Sequence, residues 1–151
     1  MITKEDIIRA QKQWSEGIIK MGEISNNRVL LQSFVSEFLD DVYNFQEKVL
    51  FKPTKANIEQ FRNNKESATS YFIAGDDKKC KEDNGFALSK WSKIIFENSD
   101  IIIKENQGLA MGNYTFENNE SKIKVEYSFG YIKIKESIKI TLHHSSIPYQ
   151  N

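Results

Sequence analysis

The residues best equipped for chemistry stand together near one end of the chain, in the run His143-His144-Ser145-Ser146. An imidazole is the one side chain whose ordinary pKa lies near neutrality, and a hydroxyl can both donate and accept. Such a run suits proton transfer or the binding of a developing oxyanion. It suits a metal poorly. A catalytic zinc usually takes three protein ligands, whereas the chain has 2 His in all, and strand neighbours point to opposite faces. One His with distant carboxylates would be the remaining way to hold an ion, and no His-x-x-x-His or Cys-x-x-Cys spacing supports it. Metal-free chemistry is therefore expected. The single cysteine, Cys80, lies in a polar run and is read as incidental. No Walker-type loop or G-x-G-x-x-G is present, so nucleotide phosphates have no cradle. Adjacent His and Ser do not by themselves indicate a Ser–His–Asp triad. Taken alone, the run is more often a strand end whose polar groups satisfy exposed backbone.

The elements that must position this run can be read from periodicity. Thr3-x-x-Asp6 is a helix start of the capping-box kind, followed by Ile7, Ala10, Trp14, Ile18 and Met21 at helical spacing. Gly22 and the polar residues 25–27 interrupt it. Leu31, Phe34, Val35, Phe38, Leu39 and Val42 then form a second helical stripe. Val49-Leu50-Phe51 is a brief extended segment stopped by Pro53. A short third helix is expected from Asn64 to Ile73, with Gly75 as its stop. A charged loop spans residues 76–85.

From Trp91 onward the pattern turns to strands. Ile94–Phe96 and Ile101–Ile103 read as two short runs separated by Asn98-Ser99-Asp100. Leu109–Phe116, Ile123–Ile132 and Ser137–Ser146 follow, with turns at Asn118-Asn119 and Lys135-Glu136. In the fourth of these, Ile123, Val125, Tyr127, Phe129 and Tyr131 share one face. In the last, Ile138, Ile140 and Leu142 share a face that strict alternation carries on to His144 and Ser146. The expectation is that His144 and Ser146 line a pocket while His143 and Ser145 face outward. Helices first and a strand meander afterwards indicate an α+β fold.

Composition bounds the function. The 151 residues fit one domain, 1–151, and Lys+Arg equals Asp+Glu at 21 each. A chain without a basic excess is no electrostatic nucleic-acid binder. No run approaches the ~18 apolar residues of a membrane span. With one cysteine and no leader-like start, a cytoplasmic location is expected.

Six segments together carry a resemblance. Val49-Leu50-Phe51-Lys52-Pro53-Thr54, Phe61-Arg62, Ser70-Tyr71-Phe72, Glu82-Asp83-Asn84-Gly85-Phe86-Ala87, Met111-Gly112-Asn113-Tyr114 and His143-His144-Ser145-Ser146 resemble the iota-class carbonic anhydrases in order and spacing. Asn63-Asn64 departs from that pattern. The resemblance implies a cone-shaped nuclear transport factor 2-like fold, like the calcium/calmodulin-dependent kinase association domain, with N-terminal helices packed on a curved antiparallel sheet. It implies reversible hydration of carbon dioxide to bicarbonate. It leaves the cofactor open, zinc or manganese included, so the ligand count above carries the metal-free expectation. By resemblance the catalytic pocket takes Thr54, Tyr71, His144 and Ser146, with His143 and Ser145 as substrate-binding neighbours and His144 as proton acceptor. Arg62 is read as structural. A homodimer or larger homo-oligomer is implied, with Tyr114 and Ile132 as candidate contacts. Two other readings of the same cone are a non-catalytic assembly or ligand-binding module and a small-molecule isomerase or hydrolase.

Overall fold

The computed structural model describes residues 1–151. Helix α1, Lys4–Glu23, begins where the Asp6 N–H donates to the Thr3 hydroxyl at 3.0 Å and the Thr3 N–H donates to the Asp6 carboxylate at 2.9 Å. This reciprocal cap satisfies two otherwise orphaned N–H groups. The stripe Ile7, Ala10, Trp14, Ile18 and Met21 is buried, as its spacing requires. Helix α2, Arg28–Val42, is capped by Asn27 and buries Leu31, Val35, Phe38, Leu39 and Val42. The two helices cross closely at Gly17, where a Cβ would stand 2.1 Å from the Phe38 ring.

Strand β1, Leu50–Lys52, precedes helix α3, Lys65–Ile73, which is followed by a 3-10 turn, Phe86–Ser89. Gly75 follows α3 with a φ of +95°, a conformation that favours glycine. Four long strands complete the chain: β2, Lys93–Lys104; β3, Gln107–Glu117; β4, Lys122–Ile134; and β5, Ser137–Ser146. The sheet order is β1-β5-β4-β3-β2. β2 to β5 form an antiparallel meander, whereas β1 joins the edge parallel to β5, so the sheet is mixed. β1 reaches that edge from α2 rather than through a hairpin, which frees it from the antiparallel rule.

Residues 98–100 do not separate two strands. They form a bulge inside one continuous β2, where the register shifts between Asn98 and Asp100. Asn98 is held there by reciprocal amide bonds with Gln11 at 2.7 and 2.9 Å and by the Tyr127 hydroxyl at 2.7 Å. The inner face of the curved sheet packs on the helices in one cluster of 29 buried apolar residues, so helices and sheet share a single core. No helix is long and apolar enough to cross a membrane.

β4 follows strict alternation, with Val125, Tyr127, Phe129 and Tyr131 buried. β5 does not. Gly130 pairs with Leu142 but Tyr131 pairs with Ile140, which leaves Thr141 as an extra residue. A bulge of this kind moves every later side chain to the opposite face. Ile140 points inward, Leu142 outward, and His143 and Ser145 inward at 2% and 1% exposure. His144 is exposed and Ser146 donates to the Glu126 carboxylate at 3.1 Å on the outer face. The expected faces of the two pairs are thus exchanged.

Arg62 is structural, as expected. Its guanidinium, with no exposed surface, grips the Asp83 carboxylate through two bonds of 2.7 and 2.8 Å. It also donates to the carbonyls of Glu59 and Ser67 at 2.7 and 3.1 Å, while Ser70 donates to Asp83 at 2.5 Å. Glu82 accepts from the N–H groups of Asn57, Ile58 and Glu59 at 2.7–2.9 Å. The charged loop is thereby tied to the segment that follows β1. Removing one member of a buried ion pair strands the other charge, at a cost of about 3–5 kcal/mol. Arg62→Met should lose that much stability in urea unfolding, and Arg62→Met combined with Asp83→Leu should recover part of it.

Candidate active site

An unbroken line of polar side chains runs through the apolar interior. The Trp14 Nε1–H donates to the Tyr43 hydroxyl at 2.9 Å, and that hydroxyl lies 2.8 Å from His143 Nδ1. On the other side of the ring, His143 Nε2 is 2.9 Å from the Tyr114 hydroxyl. Tyr114 then meets the Ser145 hydroxyl at 2.6 Å, and Ser145 meets the Thr54 hydroxyl at 2.6 Å. Every member but Thr54 is buried; Thr54 is partly exposed.

Each side chain arrives for a local reason. Trp14 sits mid-stripe on α1, and Tyr43 caps the C-terminus of α2, where its backbone forms a bridge to Ile140. Tyr114 occupies an inward position of β3. Phe51 of β1 pairs with His143 across the parallel edge, which delivers Thr54, three residues later, beside Ser145. Pro53 ends β1 between them and removes a backbone donor that the strand edge would otherwise expose.

The His143 ring is stacked between Phe51 at 4.7 Å and Phe129 at 4.1 Å, with interplanar angles of 15° and 24°. Burial in this cage pushes its pKa well below the usual histidine value, and the neighbouring His144 adds to the shift. The imidazole is therefore neutral at physiological pH. Burial also raises the hydroxyl pKa values of Tyr43, Tyr71 and Tyr114, which keeps all three phenols protonated.

Tyr71 stands beside the open end of the line. Its oxygen accepts from the Lys55 N–H at 3.2 Å, and Thr54 neighbours it. Tyr71 also lines a cavity of about 190 Å³ with Lys55, Asp83, Gly85 and Phe86. Hydroxyls of Thr54, Ser145 and Tyr71 thus gather where that line comes nearest the surface.

Of the expected site residues, the structure brings together Thr54, Tyr71, His143 and Ser145. It sets His144 and Ser146 apart, in an outer groove with Met111, Glu126 and Ser128. Tyr114, expected as a candidate subunit contact, lies inside at 1% exposure. Trp14 was legible only as a member of the core, and Tyr43 was not singled out at all. A glycine in a strand interior often marks a bulge, and Gly130, opposite the extra residue Thr141, was the available signal for the exchange of faces.

The sequence model of the family described as metal-independent carbonic anhydrase matches residues 5–147. The chain belongs to that family. A metal-independent carbonic anhydrase of Nostoc sp. is 34% identical over 155 residues, an alignment that covers 99% of this chain and 75% of the relative. The structure of a cyanobacterial iota-carbonic anhydrase complexed with bicarbonate superimposes with a TM-score of 0.93 at 32% identity, covering 99% of this chain and 94% of the other. A Xanthomonas campestris protein described as a calcium/calmodulin-dependent protein kinase II association domain shares the fold alone, at 17% identity and a TM-score of 0.69 over 100% of this chain and 91% of the other. The expected family, fold class and activity are those found. The expectation of metal-free chemistry agrees with the description of the family.

In this carbonic anhydrase the buried neutral His143 links stability to pH. The unfolded imidazole takes up a proton near pH ~6.5, while the folded one resists protonation until well below that. In the interval the unfolded chain binds more protons, so stability falls as pH falls, by up to about 1.4 kcal/mol per pH unit. Urea unfolding between about pH 6.5 and pH 5 should show this slope, and His143→Gln should flatten it.

Proposed function

We propose that this carbonic anhydrase hydrates carbon dioxide where the hydroxyls of Thr54, Ser145 and Tyr71 converge. Carbon dioxide carries no charge, whereas the product is an anion. Only interactions that strengthen as charge develops accelerate the chemical step. The group meets that requirement, because the Thr54 and Tyr71 hydroxyls can each donate to an oxygen that becomes anionic as water adds to the carbon, while Ser145 backs Thr54 at 2.6 Å. The C–O bond forms from water, a C=O pair moves onto oxygen, and the released proton passes to solvent. His143 stands behind this group and holds Ser145 through Tyr114. The observation that carries the assignment is the buried hydroxyl line ending beside Tyr71, in a chain whose structural relative was solved with bicarbonate.

His144 and Ser146 have no part in this arrangement, because they face the other side of the sheet. The buried, unpaired Cys80 supports a reducing, cytoplasmic setting.

The outer face supports a homodimer. One row across the sheet reads Ile102, Leu109, Gly130, Leu142 and Leu50, in continuous register. Ile102, Leu109 and Leu50 are 63%, 51% and 54% exposed, and Met111 in the next row is 61% exposed. A contiguous apolar stripe of this kind marks an interaction surface. The row containing Met111 begins at Asp100 and ends at Lys52. A two-fold axis running along β4 would lay each Asp100 over the Lys52 of the second copy, pairing opposite charges around the apolar stripe. Ile132 keeps its place as a flanking contact on this face, and Tyr114 does not.

Stopped-flow hydration assays on extensively dialysed, chelator-treated protein test the catalytic assignment. Activity should survive the treatment. Ser145→Ala and Thr54→Val should each lose about ten- to a hundredfold in kcat, the worth of one hydrogen bond to a charged group at ~1.5–3 kcal/mol. His144→Ala should stay near wild type. Full activity in Ser145→Ala with loss in His144→Ala would overturn the assignment.

Light scattering tests the dimer. The protein should run at twice the chain mass of 17.6 kDa, and the pair Leu109→Lys with Met111→Glu should run as a folded monomer. A wild-type monomer at micromolar concentration would overturn it.

A further inference from the structure

The buried line has a direction, and its closed end sets it. An indole N–H donates and never accepts. The Tyr43 hydroxyl reaches two polar side chains, Trp14 at 2.9 Å and His143 Nδ1 at 2.8 Å. Its oxygen is occupied by the Trp14 N–H, so its single proton has one acceptor, Nδ1. If Nδ1 carried a proton instead, the Tyr43 proton would be turned onto the Trp14 N–H, leaving two buried donors facing each other. A neutral imidazole with Nδ1 accepting must carry its proton on Nε2. That proton points at the Tyr114 oxygen, 2.9 Å away. Tyr114 then donates to Ser145, and Ser145 to Thr54, each across 2.6 Å. The Thr54 proton is left to point out of the line.

We propose that Trp14 is a positioning residue that fixes His143 as its Nε2–H tautomer, and so makes the interior line donate one way, outward at Thr54. The reverse polarity would let His143 draw a proton inward from a substrate water. Trp14 opposes it, because the line would then end on a donor that has nothing to accept with. The line is a preorganised donor to an anion and not a buried base. The identity of that anion as bicarbonate rests on the reading above; the tautomer does not.

Long-range ¹H–¹⁵N correlation of histidine-labelled protein reads the tautomer without substrate or turnover, with His144→Gln assigning the signals. His143 should show a pyrrole-like, protonated Nε2 and a pyridine-like Nδ1. The preference should be at least about tenfold, since one unmade buried hydrogen bond commands that ratio. Tyr43→Phe removes the donor to Nδ1 and should bring the two tautomers to within about threefold of each other. Trp14→Phe should lower the preference several-fold, because the inward-turned Tyr43 proton no longer meets an N–H, and should reduce kcat more than it changes KM. If Trp14→Phe fails to fold, the wild-type spectrum and Tyr43→Phe decide alone. A protonated Nδ1 in the wild type would overturn the proposal. So would an unchanged tautomer ratio in a folded Trp14→Phe, or in Tyr43→Phe. A protein inactive in hydration but holding the Nε2–H tautomer would overturn the proposed function and leave this inference standing.

Discussion

Burying His143 without charging it is the constraint on which the rest of the site depends. A histidine with 2% of its surface exposed, stacked between Phe51 and Phe129, has lost the water that would solvate its charged form. Both ring nitrogens must then find partners in protein, since an unsatisfied buried polar group costs about 1–3 kcal/mol. Tyr43 and Tyr114 supply them, and each tyrosine hydroxyl in turn needs its own partner. The requirement propagates: inward to Trp14, which closes the line with a donor, and outward through Ser145 to Thr54, which opens it. No buried side-chain nitrogen or oxygen is left without a bond. The line is a consequence of satisfying one buried imidazole, and its open end is the partly exposed Thr54 hydroxyl.

Much of the scaffold was legible because it follows local rules. The α1 capping box, the two apolar helical stripes and the strict alternation of β4 each repeat with the period of the element that contains them. What escaped was non-local. The parallel seat of β1 beside β5 depends on sheet closure, and the bulge at Thr141 depends on how β5 fits its neighbour β4. Alternation read through Ile138, Ile140 and Leu142 is correct as far as Ile140 and inverted after it. One extra residue exchanged the faces of His143 and His144 and of Ser145 and Ser146, which is why the run stood out in the sequence while the faces of its members were misread. Trp14 was hidden for another reason. In sequence, an aromatic at a helical core position is indistinguishable from one whose polar atom completes a network across the sheet.

The same bulge allows the two faces of β5 to serve different ends. Inside, His143 and Ser145 join the hydroxyl line. Outside, Leu142 packs beside Gly130, where an added Cβ would stand 3.0 Å from the Leu142 Cβ, and continues the apolar row from Leu109 toward Leu50. Were the same residues to alternate without the bulge, Ser145 would face outward and the leucine row would be interrupted. Gly130 is required by close approach on that outer surface, not by its backbone angle, which places it among the residues that shape the outer apolar row rather than the interior line.

A line of neutral groups is also suited to the reaction's change of charge. Carbon dioxide is apolar, and a site containing a fixed ammonium or carboxylate would hold water or counter-ions that the substrate must displace. Here the nearest buried charges, Arg62 with Asp83 at 2.7 Å, and the partly exposed Glu82 at 3.7 Å from Arg62, are spent on tying the charged loop to the segment after β1, and they bond to one another, to the Ser70 hydroxyl and to backbone groups. Lys52, lowered in pKa by burial, turns its ammonium toward the carbonyls of Thr54 and Ser145 at 3.5 and 3.4 Å, outside the hydroxyl line. In the proposed site, stabilisation of the anion is left to hydroxyl dipoles whose orientation is set before substrate arrives. Preorganised donors of this kind need no reorganisation as charge develops, and each is worth roughly a hundredfold or more in rate. They cannot lower the pKa of the attacking water as a bound metal does. An enzyme built this way gives up the nucleophile that a metal hydroxide would provide and relies on geometry, and on the proposed reading the tautomer of one buried histidine then bears on the rate at a hydroxyl three hydrogen bonds away.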